Sequence, residues 1–151
     1  MIYSLRMLDG NEYFFGEKHS PVECFCCGYC CVGYNPMVME WEIERMAGHL
    51  ALTASEFKRE YIDQTLIGYL VRQTDKGCVF LNWQKDTSKG YCDIHNARPE
   101  ACRDWVPSLW RRECLEGLAR LGKNNGRILP AAEVYEDADQ LQNFTRILGQ
   151  A

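Results

Sequence analysis

Residues 23–35 read ECFCCGYCCVGYN, and five of these thirteen residues are cysteines. Cys24, Cys27 and Cys30 form a C-x2-C-x2-C pattern, and Cys31 follows directly. Zinc sites often combine one C-x2-C pair with a second, remote pair. Iron–sulfur clusters often use three cysteines at this spacing and one remote cysteine. The stretch therefore predicts a metal centre, but its spacing alone does not choose between zinc and iron.

The adjacent cysteines predict more than one role within this stretch. Because neighbouring side chains diverge, Cys31 is expected to bind a second metal or to bridge, rather than to complete the site of Cys30. Cys26 stands in the same relation to Cys27. Gly28 supplies the backbone freedom that a chelating turn needs, so the whole stretch is predicted to be a loop.

Three further cysteines lie in the second half of the chain, at Cys78, Cys92 and Cys102. If Pro99 is the first residue of a short helix that ends before Pro107, Cys102 lies in its first turn. The helix dipole would then help to hold Cys102 as a thiolate. Several thiolates at one centre carry net negative charge, and Arg98 and Arg103 are well placed in sequence to offset it.

The whole chain has the composition of an ordinary globular protein. Its 151 residues predict one domain over 1–151, and the net charge of −4 with a pI near 5.4 disfavours a nucleic-acid partner. No apolar run is long enough to span a membrane, and the first twenty residues lack the pattern of a signal peptide. Nine cysteines in a chain without such a signal indicate reduced, metal-binding thiols and a cytoplasmic location.

The hydrophobic pattern predicts an α+β fold with short helices and a β-hairpin around the cysteine-rich loop. Hairpins are expected at 2–16, around Asp9-Gly10-Asn11, and at 68–83, around the turn sequence TDKG, with Cys78 at the start of the second strand. One helix is expected at 39–50, and a second begins at a capping box formed by Thr53 and Glu56. Two more are expected, at 109–122 with Ser108 as its cap and at 137–149 with Leu141, Phe144, Thr145 and Leu148 in helical register. Residues 86–90 and 122–126 are expected to be loops.

These motifs resemble the CxxCxxCC family, the YkgJ-type cysteine cluster proteins, which are described as zinc- or iron-chelating domains. The resemblance runs from about Glu23 to Pro107, the cysteine cluster core of the chain. It rests on the cysteine pattern of 24–31, on Cys78-Val79-Phe80-Leu81, and on Cys92, Ile94, Arg98-Pro99 and Cys102. The helical stretch 40–62 also looks like the helix pair that follows the cluster in that family.

The resemblance implies metal chelation by up to seven thiolates, in one continuous cluster with Arg98 beside it. The predicted ligands are Cys24, Cys27, Cys30, Cys31, Cys78, Cys92 and Cys102. Cys26 and Cys114 are extra, and His95 stands where the family usually has tyrosine. Cys114 is predicted to be a core residue, because Leu118 and Leu121 follow it at helical spacing.

Four functions remain open at this point. The first is a protein that binds zinc or iron ions, and the second is an iron–sulfur protein in electron transfer or in a modification enzyme. A flagellin lysine methylase in the family carries the same cluster, so the sequence leaves open whether this chain is an enzyme. A zinc-ribbon-like module that contacts a protein or nucleic acid and a thiol redox switch are the weaker alternatives.

Overall fold

The computed structural model describes residues 3–6, 12–15, 21–85, 89–108, 111–124 and 134–148. The chain separates into two compact units, which are described one by one below. The first unit comprises residues 1–29, 84–89 and 106–151, and the second comprises residues 30–83 and 90–105. The prediction of a single domain over the whole chain stays a prediction.

Short helices and small antiparallel sheets make up the structure, so the predicted α+β class is confirmed. The helices are α1 (Tyr29–Val32), α2 (Glu40–His49), α3 (Ala54–Tyr61), α4 (Glu100–Arg103), α5 (Arg112–Asn124) and α6 (Ala138–Leu148). The strands are β1 (Tyr3–Arg6), β2 (Glu12–Phe15), β3 (Met37–Val38), β4 (Ile62–Thr65), β5 (Gly68–Val71), β6 (Gln73–Thr74), β7 (Gly77–Cys78), β8 (Leu81–Trp83) and β9 (Gly90–Cys92). A 3₁₀ turn covers His95–Ala97.

The first unit has its own apolar core, to which two of its cysteines belong. Phe25 and Cys27 from the cysteine-rich stretch pack with Cys114 of α5 and Phe144 of α6. The remaining members of this core are Val22, Leu118, Leu121, Val134 and Tyr135. The predicted core role of Cys114 is thus confirmed. Its burial follows from the apolar stripe of α5, which repeats at three- and four-residue intervals.

The second unit has a separate core beneath a three-stranded sheet of order β3-β5-β4. α2 and α3 supply Ile43, Met46 and Phe57, all fully buried. Phe80 and Ile94 complete this core from the segments that also carry Cys78 and Cys92. Each of these cysteines is therefore two residues from a buried anchor, which limits how far its backbone can move.

Several predicted elements are confirmed, and one is shorter than expected. The Thr53–Glu56 capping box opens α3, and the N-terminal hairpin pairs Tyr3 with Phe15, although its turn at 7–11 lies outside the described residues. The hairpin around TDKG consists of β6 and β7 alone. The expected first strand, at 68–73, is divided into β5, which pairs with β3 and β4, and the start of β6. Cys78 is the last residue of its strand and not the first.

Three expectations about local structure are wrong. The cysteine-rich loop ends at Gly28, whose φ is +69°, and residues 29–32 form the helical turn α1. α5 runs to Asn124, so the first part of the expected loop at 122–126 is helical, because the helix continues through Gly122. In α6, Thr145 is exposed although its spacing suggested an inner position. Residues 86–88, 109–110 and 125–130 lie outside the described part of the chain.

Candidate metal centre

Five cysteines of the second unit come from four different short elements. Cys30 and Cys31 lie on α1, Cys78 ends β7, Cys92 ends β9, and Cys102 lies in α4. All five side chains are half-buried. They are thus screened from bulk water but are not locked inside the apolar core.

Cys31 and Cys78 are brought together by contacts between α1 and the β6–β7 hairpin. The Gln73 side-chain amide donates to the carbonyl of Cys31 at 3.2 Å and to that of Tyr34 at 2.8 Å. Gly77 has a φ of +115°, and a Cβ atom there would lie 3.2 Å from the Cys31 carbonyl oxygen. Only glycine permits this close approach without strain, and Cys78 is the next residue.

A buried carboxylate holds the segment that carries Cys102. Glu42 is 3% exposed, and its two oxygens accept hydrogen bonds from the amides of Met39 and Glu100, each at 2.8 Å. The first contact caps the N-terminus of α2, and the second caps the N-terminus of α4. The Cys102 amide donates to the carbonyl of Pro99 at 3.0 Å, with Pro99 as the cap of α4. Cys102 therefore lies in the first helical turn, as predicted.

Cys78 and Cys92 share a pattern of amide-to-sulfur hydrogen bonding. The backbone amide of Phe80 donates to the Cys78 sulfur, and that of Ile94 donates to the Cys92 sulfur. In both cases the donor lies two residues after the cysteine, in a buried apolar anchor. Such bonds favour the thiolate form and therefore lower the pKa.

Burial and mutual repulsion nevertheless keep these thiols protonated in the metal-free chain. Burial is the main cause that raises the pKa values of Cys78 and Cys92, and it raises the pKa of Cys102 to about 12. The thiols of Cys78, Cys92 and Cys30 add to the rise at Cys102. Burial and like charges thus oppose the ionisation of Cys102 in the metal-free chain, and the predicted contribution of the helix dipole stays a prediction.

The two adjacent cysteines of α1 do not diverge as expected. The Cys31 thiol hydrogen bonds to the side chain of Cys30, and this contact, followed by burial, raises the pKa of Cys31. Cys78 and Cys92 raise it further. One helical turn thus directs both side chains of α1 toward the same group of thiols.

Arg98 lies where its positive charge reaches the cysteines. It lowers the pKa values of Cys92 and Cys102, which is the direction that a nearby guanidinium produces. The Arg98 Nε donates to the carbonyl of His95 at 2.9 Å, which fixes the guanidinium over the 3₁₀ turn. Burial, followed by the charge of Arg98, lowers the pKa of His95, so its imidazole is neutral at pH 7.

The first unit contains the remaining four cysteines, in a different setting. Cys27 and Cys114 are buried, Cys26 is half-buried and Cys24 is exposed. A Cβ atom at Gly117 would lie 2.1 Å from the Cys27 sulfur, so α5 packs directly on this side chain. The Cys26 amide donates to the Cys24 sulfur at 3.3 Å, and the Cys26 thiol donates to the Cys24 carbonyl at 3.8 Å. The neighbouring Cys24 side chain is the first cause that raises the pKa of Cys26, ahead of burial.

The seven predicted ligands are thus divided between the units. The second unit groups five of them, and Cys24 and Cys27 belong to the first. The assignment of all seven to one cluster stays a prediction. Sequence reasoning missed three residues that position the thiols, namely Glu42, Gln73 and Gly77. Glu42 stands at a common capping position, but its second partner is 58 residues away, which no local pattern reveals.

The donor set fits zinc or iron in its chemistry. Half-buried thiolates are soft ligands that both metals accept. In the part of the chain that the structure describes, no three His, Cys, Asp or Glu side chains already form a site that could hold an ion. Binding therefore requires side-chain adjustment, since tetrahedral zinc with sulfur ligands at about 2.3 Å needs sulfur atoms about 3.8 Å apart.

A known protein family matches this chain. The CxxCxxCC family, described as a "putative zinc- or iron-chelating domain", matches residues 23–119. The match extends beyond Pro107, where the resemblance seen in the sequence ended, and includes Cys114. No curated protein and no solved structure gave a significant match. Among the described helices, none has the length and apolar character needed to cross a membrane.

Proposed function

The chain belongs to the CxxCxxCC family of zinc- or iron-chelating domains, and we propose that it binds its metal through the thiolates of the second unit. The proposed ligands are Cys30, Cys31, Cys78, Cys92 and Cys102. Cys24 and Cys27 remain the additional ligands that the sequence predicts. The metal, when bound, supplies the positive charge that these five thiolates lack.

The observation that carries this proposal is the gathering of five half-buried thiols whose ionisation is mutually unfavourable. Burying several like-charged groups costs free energy unless a counter-charge accompanies them. A bound Zn²⁺ or iron ion provides that charge and displaces the thiol protons. A purely structural cluster of apolar cysteines would not need Arg98 nearby or amide donors aimed at two of the sulfurs.

Arg98 has a supporting role in this proposal. A centre with four or more thiolates and one divalent cation is negatively charged, and the guanidinium of Arg98 offsets part of this charge. Its hydrogen bond to His95 keeps it at a fixed position beside Cys92 and Cys102. Arg98 therefore positions and balances the centre without itself binding the metal.

A second candidate is an iron–sulfur cluster held by the same thiols. The specific observation in its favour is the pair of amide-to-sulfur hydrogen bonds at Cys78 and Cys92. Hydrogen bonds to cluster sulfurs and partial burial are known means of setting reduction potential. These features suit an electron carrier or the redox part of a modification enzyme. They do not identify a substrate.

The test is metal analysis combined with an absorption spectrum, on protein purified without oxygen. Colourless protein with zinc supports simple chelation, whereas brown protein with iron and acid-labile sulfide supports the cluster. Cys102→Ser should reduce metal affinity by at least about 100-fold, because losing a ligand costs more than losing an outer-shell partner. Cys114→Ser is the matched control, a thiol of the first unit that should leave affinity unchanged. Equal metal retention in both variants would refute the proposed ligand set.

A further inference from the structure

Arg45 of α2 contacts the turn that leads into α4, the helix of Cys102. It follows Glu42 by three residues, so both side chains leave the same face of α2. The Arg45 Nη2 atom donates to the carbonyl of Arg98 at 2.6 Å and, more weakly, to that of Ala97 at 3.4 Å. One guanidinium therefore holds two successive carbonyls of the segment that leads to a proposed ligand.

The sequence explains why these carbonyls take a donor from another element. Pro99 disfavours a helical conformation at the residue before it. Arg98 is accordingly extended, with φ −51° and ψ +148°, and Pro99 is similar, with φ −54° and ψ +151°. The helical bonding of α4 begins at the Pro99 carbonyl, which accepts from the Cys102 amide at 3.0 Å. The carbonyls of the two preceding residues come before this first helical bond, and Arg45 supplies their donor.

The guanidinium of Arg45 is itself held in place. Its Cζ atom lies 5.7 Å from the ring centroid of Trp41, within the range of a cation–π contact. Its Nε atom is buried and has no hydrogen-bond partner among the residues that the structure describes. Burying a donor without an acceptor costs free energy, and such an exception calls for a reason. This cost favours a positioning role over one in stability alone.

Arg98 is held at both ends by this arrangement. Its carbonyl accepts from Arg45, and its Nε donates to the carbonyl of His95 at 2.9 Å. Beyond the proline, Glu42 accepts from the amide of Glu100 at 2.8 Å. α2 thus contacts the chain on both sides of the proline, with a donor before it and an acceptor after it. The start of α4 and the position of the Arg98 guanidinium are fixed together.

We propose that Arg45 is a positioning residue for the metal centre and does not itself bind the metal. By holding the backbone of Ala97 and Arg98, it keeps the helix of Cys102 and the Arg98 guanidinium where the bound metal requires them. This role rests on the proposed function, because it presupposes that Cys102 is a ligand. A ligand held in place beforehand loses less freedom on binding. Without Arg45, the metal affinity should fall while the set of ligands stays the same.

Titration of the full chain with Co²⁺, reduced and without oxygen, tests this role. Thiolates bound to Co²⁺ give a charge-transfer band, whose intensity at saturation rises with the number of bound thiolates. Arg45→Met removes the donors from a long side chain and should weaken Co²⁺ binding about 10-fold, a typical effect of losing an outer partner of the ligands. The band at saturation should keep its full intensity, because no ligand is lost.

Arg45→Lys is the conservative variant. Lysine keeps the positive charge but replaces the planar fork of donors by one ammonium group, so it cannot reproduce the contact in full. Its Co²⁺ affinity should lie between those of the unaltered chain and Arg45→Met. Because its change is milder, it also provides the test if Arg45→Met does not fold.

Arg72→Met is the matched control. Arg72 is also half-buried and donates to three backbone carbonyls, those of Arg59, Glu60 and Ile62, in a segment without a cysteine. Urea unfolding of metal-free protein should show reduced stability in both Arg72→Met and Arg45→Met. The Co²⁺ affinity should fall in Arg45→Met alone. Equal weakening of Co²⁺ binding in the two variants would overturn the proposal, since general destabilisation would explain both.

Cys102→Ser separates a failure of this role from a failure of the proposed function. It should weaken Co²⁺ binding and also reduce the charge-transfer band, because it removes a ligand. If Cys102→Ser binds Co²⁺ as tightly as the unaltered chain, the proposed ligand set is wrong and the role of Arg45 fails with it. If Cys102→Ser weakens binding but neither variant of Arg45 does, the role of Arg45 alone is overturned.

Discussion

The two units hold their cysteines in opposite ways. In the second unit, five half-buried thiols come from four separate elements, and two of them, those of Cys78 and Cys92, accept hydrogen bonds from backbone amides. In the first unit, Cys27 and Cys114 are packed into apolar core, whereas Cys24 and Cys26 share one outward-facing turn. The difference teaches that cysteine spacing alone does not define function. Convergence of thiols from distant elements suits a metal centre.

Metal removal should give the largest difference between the units. Structural zinc contributes on the order of 10–16 kcal/mol of apparent folding free energy, and Cys78 and Cys92 pack against the core of the second unit. Chelation should therefore sharply reduce, without abolishing, the hydrogen-exchange protection at Phe57 and Val71. Protection at Leu121 and Phe144 of the first unit should fall much less.

Hydrogen exchange followed by mass spectrometry, with and without chelator, measures the amide protection of both units in one experiment. Re-addition of the metal is the control and should restore the protection. Equal loss in both units would show that the first unit also depends on the metal. That result would favour the single seven-cysteine cluster that the sequence predicts.

The stability of the metal-free protein at alkaline pH tests whether Cys102 is buried among the other thiols of the second unit. In the metal-free chain, the pKa of Cys102 is raised from 9.0 to about 12, chiefly by burial. A raised folded-state pKa contributes stability that is fully present below pH 9 and is lost as the pH rises toward 12. Unfolding by urea should therefore become easier across this window in metal-free protein, and less so in metal-free Cys102→Ser.

Metal-loaded protein is the control for this pH dependence. Its ligand thiols have already lost their protons, so no comparable loss should occur between pH 9 and 12. Because lysine and tyrosine also titrate there, the decisive quantity is the difference between the unaltered chain and Cys102→Ser. A difference of zero would mean that Cys102 is not buried among other thiols.

Backbone contact at Gly77 is the next feature to test. Alanine at this position has a strained φ and places its Cβ 3.2 Å from the Cys31 carbonyl oxygen. Gly77→Ala should displace Cys78 relative to α1 and weaken metal binding about 10-fold, within the 1–3 kcal/mol typical of such strain. Competition with a colorimetric chelator measures this change.

Gly68→Ala is the matched control. Gly68 also has a positive φ, of +137°, but a Cβ there would contact only the Met37 side chain, at 3.8 Å and beyond. It should lower stability through backbone strain and leave metal affinity unchanged. If both variants weaken metal binding equally, general destabilisation explains the effect, and the contact with Cys31 does not position the ligands.

The fold was more predictable than the site. Helices α2, α3 and α6 follow from their apolar periodicity, and the Thr53–Glu56 box is a local signal that the structure confirms. The division of the cysteines between two units was not predictable, because it depends on which distant segments share a core. The positive φ at Cys26 and the second contact of Glu42 likewise arise from tertiary structure, to which local patterns are blind.

Glu42 allows the finest test of how the thiols are positioned. Glu42 and Glu56 both accept a hydrogen bond from the amide that precedes their helix, at 2.8 and 2.9 Å. Only Glu42 also accepts from the amide of Glu100, which opens the helix of Cys102. Glu42→Ala should therefore cost about 1–3 kcal/mol of stability, because it leaves a partly buried amide without its acceptor.

Metal affinity, measured in Glu42→Ala and Glu56→Ala, distinguishes an effect on the position of Cys102 from a general effect on stability. Glu42→Ala should weaken metal binding about 3-fold, because α4 loses its anchor and Cys102 is less often in place. Glu56→Ala should lower the stability modestly, because α3 loses the glutamate of its capping box, and should leave the affinity unchanged. Chemical denaturation and chelator competition, run on both variants, give the two quantities. An unchanged affinity in Glu42→Ala would mean that Cys102 is held by its own packing, and that the buried carboxylate serves only to join α2 to α4.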